Sequence, residues 1–168
     1  MKWHINNAGV ILVYPFLTHL FNSLTYLDVN TKFKNKEVQN RAVVLLNFIT
    51  TGKTRFDDEI TLTIPKILAG SSIEQSLPKS IELKSEEIEI ASELLNAVIN
   101  QWKKLGNISI DGLRNTFLKR DGLLEYKDNA YQLTLESSGV DILLDYLPWS
   151  INLAQLPWTD NIIYVSWR

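Results

Sequence analysis

Cysteine is absent from the 168 residues, which excludes disulfides, thiolate metal sites and a thiol nucleophile, and suits a reducing compartment. Histidine is almost absent. With only His4 and His19, any metal site would rest mostly on carboxylates, and a structural zinc is disfavoured. Nor is there an excess of basic charge: a net charge of −2 gives no overall field to gather phosphates, so generic nucleic-acid binding loses ground. Long apolar runs are missing too. The nearest approach, Ala8–Phe21, is interrupted by Pro15, Thr18 and His19 and falls short of the ~20 apolar residues that a membrane span needs. Lys2 is a thin positive flank and no small-residue cleavage site follows, so a signal peptide is equally disfavoured. The segment reads as a buried helix starting at Ala8 or Gly9 of a soluble protein, without membrane insertion.

What is present suits one folded unit: 45% of residues are apolar and 21% charged, enough to build a core at this length. Asp28–Lys36 is polar and turn-rich, hence a loop. From Glu37 to Thr51, Val38, Ala42, Leu45, Leu46 and Ile49 recur at helical spacing, and Val43, Val44 and Phe48 widen the stripe until it nearly encircles the helix. Gly52 ends it. A short helix over Ile64–Ala69 carries Pro65 in its first turn and Gly70 beyond its end. The clearest helix spans Ser85–Leu105, with Ser85 as cap, three glutamates at its start, Lys103 and Lys104 at its end, and Ile88, Ala91, Leu95, Val98, Trp102 and Leu105 on one face. Between these helices, Glu74–Leu83 with Pro78 reads as either an internal boundary, within 72–84, or a long connection.

Asp111 is placed to cap a helix over Gly112–Lys119 that turns Leu113, Phe117 and Leu118 inward. Then the period drops to two. Taking Asp128-Asn129 as a hairpin turn pairs Tyr126 with Tyr131, Leu124 with Leu133 and Glu125 with Gln132, which puts the aromatics on one face. A helix over Ser138–Tyr146 stops at Leu147, because the residue before Pro148 is pushed out of the helical region. Ile162–Trp167 alternates as a strand with Ile163, Val165 and Trp167 on one side. The expected fold is α+β: mainly helical, with a small antiparallel sheet made by the hairpin at 122–136 and the C-terminal strand at 162–167.

Few residues suggest chemistry. Asn47–Thr54, NFITTGKT, ends like a phosphate loop but lacks its first glycine and ends a helix instead of opening one; Lys53 and Arg55 suit a helix C-terminus. Asp57, Asp58 and Glu59 form the densest acidic run, but adjacent side chains diverge and the EF-hand spacing is missing, so a solvated loop is the plainer reading. No nucleophile elbow or HExxH helix accompanies the histidines. The sequence therefore points to no active site, no cofactor and no resident metal. Helix, hairpin and helix over Asp111–Tyr146 resemble a winged-helix DNA-binding regulator with Arg114, Lys119 and Arg120 as phosphate contacts. Asp111, Asp121 and Glu125 partly offset those cations, and Arg114 and Arg120 suit ion pairs inside the fold equally well.

The chain closes on LPWSINLAQLPWTDNIIYVSWR, with Trp149, Trp158 and Trp167 nine residues apart. Two readings stand. Exposed aromatics in Pro-Trp loops anchor partners, whereas aromatics on an alternating strand close a core. The expectation is that Pro148 and Pro157 set corners, that the spacing is not a structural repeat, and that Trp167 is buried.

HINNAGVILVYPFLTHLF, RAVVLLNFITTGK, IPKILAG, LLNAVINQWKKL, GLRNTFLKRDGLL and the closing LPW…LPW…YVSW occur in the order and approximate spacing of a known conserved region. From His4 to Trp167 the chain resembles the contractile injection system tape measure proteins, of particles such as the antifeeding prophage and related virulence cassettes. The resemblance implies a non-enzymatic structural and assembly protein that helps control inner-tube length. Its partners would be the inner tube and the baseplate hub or spike, in a trimer or hexamer, with no nucleic acid. Such a protein would be cytoplasmic during assembly and then part of the particle. Family members generally carry this region beside a long extra segment. Even wholly helical, 168 residues at 1.5 Å each reach only about 250 Å, so this chain alone is a poor ruler, and docking is its expected task.

Overall fold

The computed structural model describes residues 1–168. Strand β1 (Lys2–Ile5) is followed by a 3-10 helix at Ala8–Phe16 that runs into α1 (Leu17–Ser23). Next come α2 (Lys36–Thr51), a 3-10 turn at Glu59–Leu62, and α3 (Thr63–Leu68). Helix α4 (Ser85–Gln101) precedes a 3-10 turn at Lys103–Leu105, and α5 (Ile110–Leu113) continues into a π-helical turn at Arg114–Leu118. The hairpin β2 (Gly122–Lys127) and β3 (Ala130–Leu135), a 3-10 helix at Gly139–Tyr146, β4 (Leu153–Gln155) and β5 (Ile162–Ser166) complete the chain.

Helix α2 is the axis of the core. Ala42 to Thr50 are all buried, because α3, α4, the 3-10 helix at 8–16 and the π turn pack around it. Asn35 caps its start through a bond from the Val38 amide (2.9 Å), and Gly52 ends it at φ +78°. The segment at 8–16 is helical as its composition requires, but it is 3-10 rather than α over nine residues. Pro15 has no amide to donate there. Gly9 is required by close packing: a Cβ on it would lie 1.7 Å from the Phe117 carbonyl oxygen and 2.8 Å from Leu118 Cα. Backbone meets backbone at that point, so Gly9→Ala is expected to destabilise by about 3 kcal/mol, the upper part of the overpacking range. Urea unfolding checks this; a midpoint equal to wild type would mean that the two segments separate freely.

Two caps differ from the sequence reading by one or two positions. Lys84, not Ser85, precedes α4, and Glu87 reaches back to accept the Lys84 amide (2.7 Å). Ser109, not Asp111, caps α5 by accepting the Gly112 amide (2.9 Å); Asp111 pairs instead with Arg114 (3.0 Å). Helix α4 also stops earlier than its apolar stripe, at fully buried Trp102, whose indole N–H is held by the Leu143 carbonyl (2.9 Å).

The hairpin has the expected register, Tyr126 opposite Tyr131 and Leu124 opposite Leu133, around Asp128 and Asn129 at φ +55° and +63°, the geometry of a type I′ turn. The sheet is larger than expected and mixed rather than purely antiparallel, with order β1-β2-β3-β5-β4. Strand β5 runs parallel to β3 and antiparallel to β4. A parallel pair needs a long crossover, and residues 136–161 supply it. One face of the sheet, with Ile5, Leu124, Leu133, Ile163, Val165 and Trp167, packs into a core cluster of 44 buried residues.

The connection from Ser71 to Lys84 has no regular structure but is tied down. Buried Lys66 bonds the Ile73 carbonyl (3.2 Å) and pairs with Glu59 (2.6 Å). Glu59 also accepts the Leu77 amide (3.0 Å), and Arg41 holds the Glu82 carbonyl (2.7 Å). Leu77 lies in the common core.

Candidate docking surface

The three closing tryptophans go to three different places. Trp149 is half-buried against Phe16 (ring centroids 5.0 Å apart, edge-on), and its indole donates to the Leu12 carbonyl (2.9 Å). Trp158 is buried edge-on to Phe21 and Phe33, donating to the Leu68 carbonyl (2.7 Å), where α3 ends. Trp167 is 5% exposed, 6.4 Å from Phe117, with the Arg120 guanidinium 5.3 Å above its ring. The triplets ending at Trp149 and Trp158 share letters, not environments.

Arg114 and Arg120 are buried too. Arg114 donates to the Ile49 and Phe48 carbonyls (both 3.1 Å), so it supplies the cation at the end of α2 that the sequence assigned to Lys53 and Arg55, which are exposed. The π turn, closed by the Lys119 amide on the Arg114 carbonyl (2.9 Å), sets this inward aim. Arg120 lies 2.8–2.9 Å from both carboxylate oxygens of Asp141 and donates to the Glu136 and Thr116 carbonyls. Neither guanidinium is available to a phosphate backbone, which leaves exposed Lys119 as the one accessible member of the winged-helix trio.

The acidic run also serves the fold. Asp58 accepts the Ile60 amide (3.1 Å), and Glu59 pairs with Lys66. Burial pushes the Glu59 carboxyl upward, but the bonds from Lys66 and the Leu77 amide outweigh it, and its pKa is lowered on balance. A solvated loop therefore describes Asp57 but not Glu59. His4 and His19 are both exposed, on β1 and α1, and no group of three or more His, Asp or Glu is placed to hold a metal ion. No helix is long and apolar enough to cross a membrane.

What remains on the surface is the sheet's second face, which carries no covering layer. Strand registers align Lys2, Glu125, Gln132, Tyr164 and Leu153 in one row across it. The charged residues stand at the β1 side; the apolar ones, Tyr164 (46% exposed) and Leu153 (44%), stand at the β4 side. Sequence reading missed this surface because β1 and β4 are too short to show a period. The alternation of Tyr164 with buried Ile163 and Val165 was the available signal.

No curated protein and no solved structure matches the chain. The family model described as contractile injection system tape measure protein matches residues 1–167. With the match running from β1 through the last tryptophan, the chain belongs to the contractile injection system tape measure protein family.

Proposed function

We propose that this polypeptide is the docking part of a tape measure protein, structural and non-enzymatic, seated on the inner tube or on the baseplate hub or spike. The observation that carries the reading is the open sheet face, on which Tyr164 and Leu153 stand exposed side by side. Exposed apolar residues in adjacent strand positions suit a protein partner. Length measurement belongs to an extended polypeptide: these 168 residues are wrapped around a shared core instead of forming a rod. The domain holds one end of that ruler while the tube grows. In a rotationally symmetric particle, equivalent platforms favour three or six copies. Assembly takes place in the cytoplasm, and the domain then stays with the particle.

Co-expression with tube, hub and spike proteins tests this. Wild-type protein is expected to copurify with at least one of them, and the pair Leu153→Glu with Tyr164→Glu, on exposed side chains, is expected to abolish copurification while melting like wild type. Particles of normal number and tube length in a strain lacking the domain would overturn the proposal.

A further inference from the structure

On the helical side of the sheet, the turn end of the hairpin is only partly covered. Trp3, opposite Leu124, and Tyr126 and Tyr131, opposite one another, share the core face, yet Tyr126 is 45% exposed and Trp3 and Tyr131 are half-buried. Their rings form a series: Trp3 to Tyr131 is 6.5 Å between centroids, and Tyr131 to Tyr126 is 4.8 Å. They form one wall of an open cleft of about 760 Å³. The opposite wall is the Gly70–Glu74 turn and Thr159–Asn161.

The charged side chains that line the cleft are acidic. Its lining side chains include two carboxylates, Glu74 and Asp160, and no Lys, Arg or His; the nearest cations are the α-amino group of Met1 and the Lys36 ammonium, which is engaged by the Ser71 hydroxyl (3.2 Å). A second cleft, at the end of α2, has the opposite make-up, with Lys53, Arg55 and Lys119 against Asp57 and Asp58 and only Phe56 among apolar residues. Aromatic faces with carboxylates beside them attract a guanidinium by its charge and by stacking. The 6.5 Å step from Trp3 to Tyr131 also matches the roughly 6.6 Å between alternate side chains of an extended chain.

We infer that this cleft binds an extended, arginine-bearing segment of a partner polypeptide, with guanidinium groups over the Trp3, Tyr131 and Tyr126 rings and paired to Glu74 and Asp160. The site is separate from the open sheet face, so it stands or falls independently of docking there.

Calorimetric titration of the full chain with a blocked Gly-Arg-Gly-Arg-Gly peptide tests it, with the Trp3 indole resonance followed by NMR. Binding is expected to weaken roughly tenfold for Trp3→Leu, for Tyr126→Ala and for Glu74→Gln combined with Asp160→Asn. It should vanish when citrulline, which keeps the shape and loses the charge, replaces arginine. Lys53→Ala, in the other cleft, should leave it unchanged. Glu74 and Asp160 are on loops, so their variant reads the site even if Trp3→Leu loosens β1. The inference is overturned by no binding at about 1 mM peptide, by equal binding of the citrulline peptide, or by a neutral oligosaccharide moving the Trp3 resonance where the arginine peptide does not.

Discussion

Replacing Glu87 by alanine is expected to cost about 3–5 kcal/mol, the loss typical of a buried ion pair deprived of one partner. Four donors converge on this carboxylate from three parts of the chain. Arg41 Nε of α2 donates to Oε2 (2.8 Å), and Arg41 Nη2 donates to Oε1. The Tyr26 hydroxyl, beyond the end of α1, donates to Oε2, and the Lys84 amide donates to Oε1 (2.7 Å). The Glu87 and Arg41 side chains retain only 5% and 13% of their exposure, so water cannot fully replace the missing oxygens. Burial by itself would raise the Glu87 pKa, but the bonds from Arg41, Lys84 and Tyr26 outweigh burial and leave it below the usual carboxylate value.

The sign of the pH dependence follows. A carboxyl whose folded pKa lies below its unfolded one contributes stability that is complete above the unfolded value, about 4.3, and lost as pH falls through the folded value. Wild type and Glu87→Ala should therefore differ most in urea midpoint near neutrality, and the difference should shrink progressively as pH falls below about 4.3 and through the lower folded value. A difference under about 1 kcal/mol at pH 7 would mean that the cluster contributes no more than an exposed pair.

Trp102→Ala is expected to cost a similar ~3–5 kcal/mol. The ring is completely buried, 4.8 Å from Phe117, where α4 stops and the chain turns. Its indole also holds the Leu143 carbonyl, which alanine leaves unpaired. Trp167 provides the comparison, since its buried Nε1 has no hydrogen-bond partner. Exchange for phenylalanine should accordingly cost about 1–3 kcal/mol more at Trp102 than an indole N–H loss accounts for at Trp167. Thermal melts of the two Phe variants decide this, and equal losses would contradict the assignment of that bond.

Much of the helical framework was legible because its signals are local. The apolar spacing of α2, Gly52 at its end, the Asp128-Asn129 turn and the stop at Leu147 each depend on residues a few positions apart, and each stands where the chain chemistry requires. Boundaries were less legible where side chains compete for one role. Ser109 and Asp111 are both good caps, and the engagement of Asp111 by Arg114 left the amide of Gly112 to Ser109. The family, too, was readable from the order of its segments, which the match over residues 1–167 shows.

The sequence by itself determined which segments coil, where the hairpin turns and that the chain belongs to a tape measure family, because periodicity, turn conformation and motif order are properties of neighbouring residues. Only the tertiary structure decided how β1 and β4 enlarge the sheet, that β5 runs parallel to β3, and that Arg114, Arg120 and Lys66 lie inside. Those outcomes rest on partners far along the chain, such as Arg114 on Phe48 and Ile49. A cation reads as a surface charge until the fold brings carbonyls and carboxylates to it, and an aromatic on a core face reads as core until the fold leaves it partly uncovered.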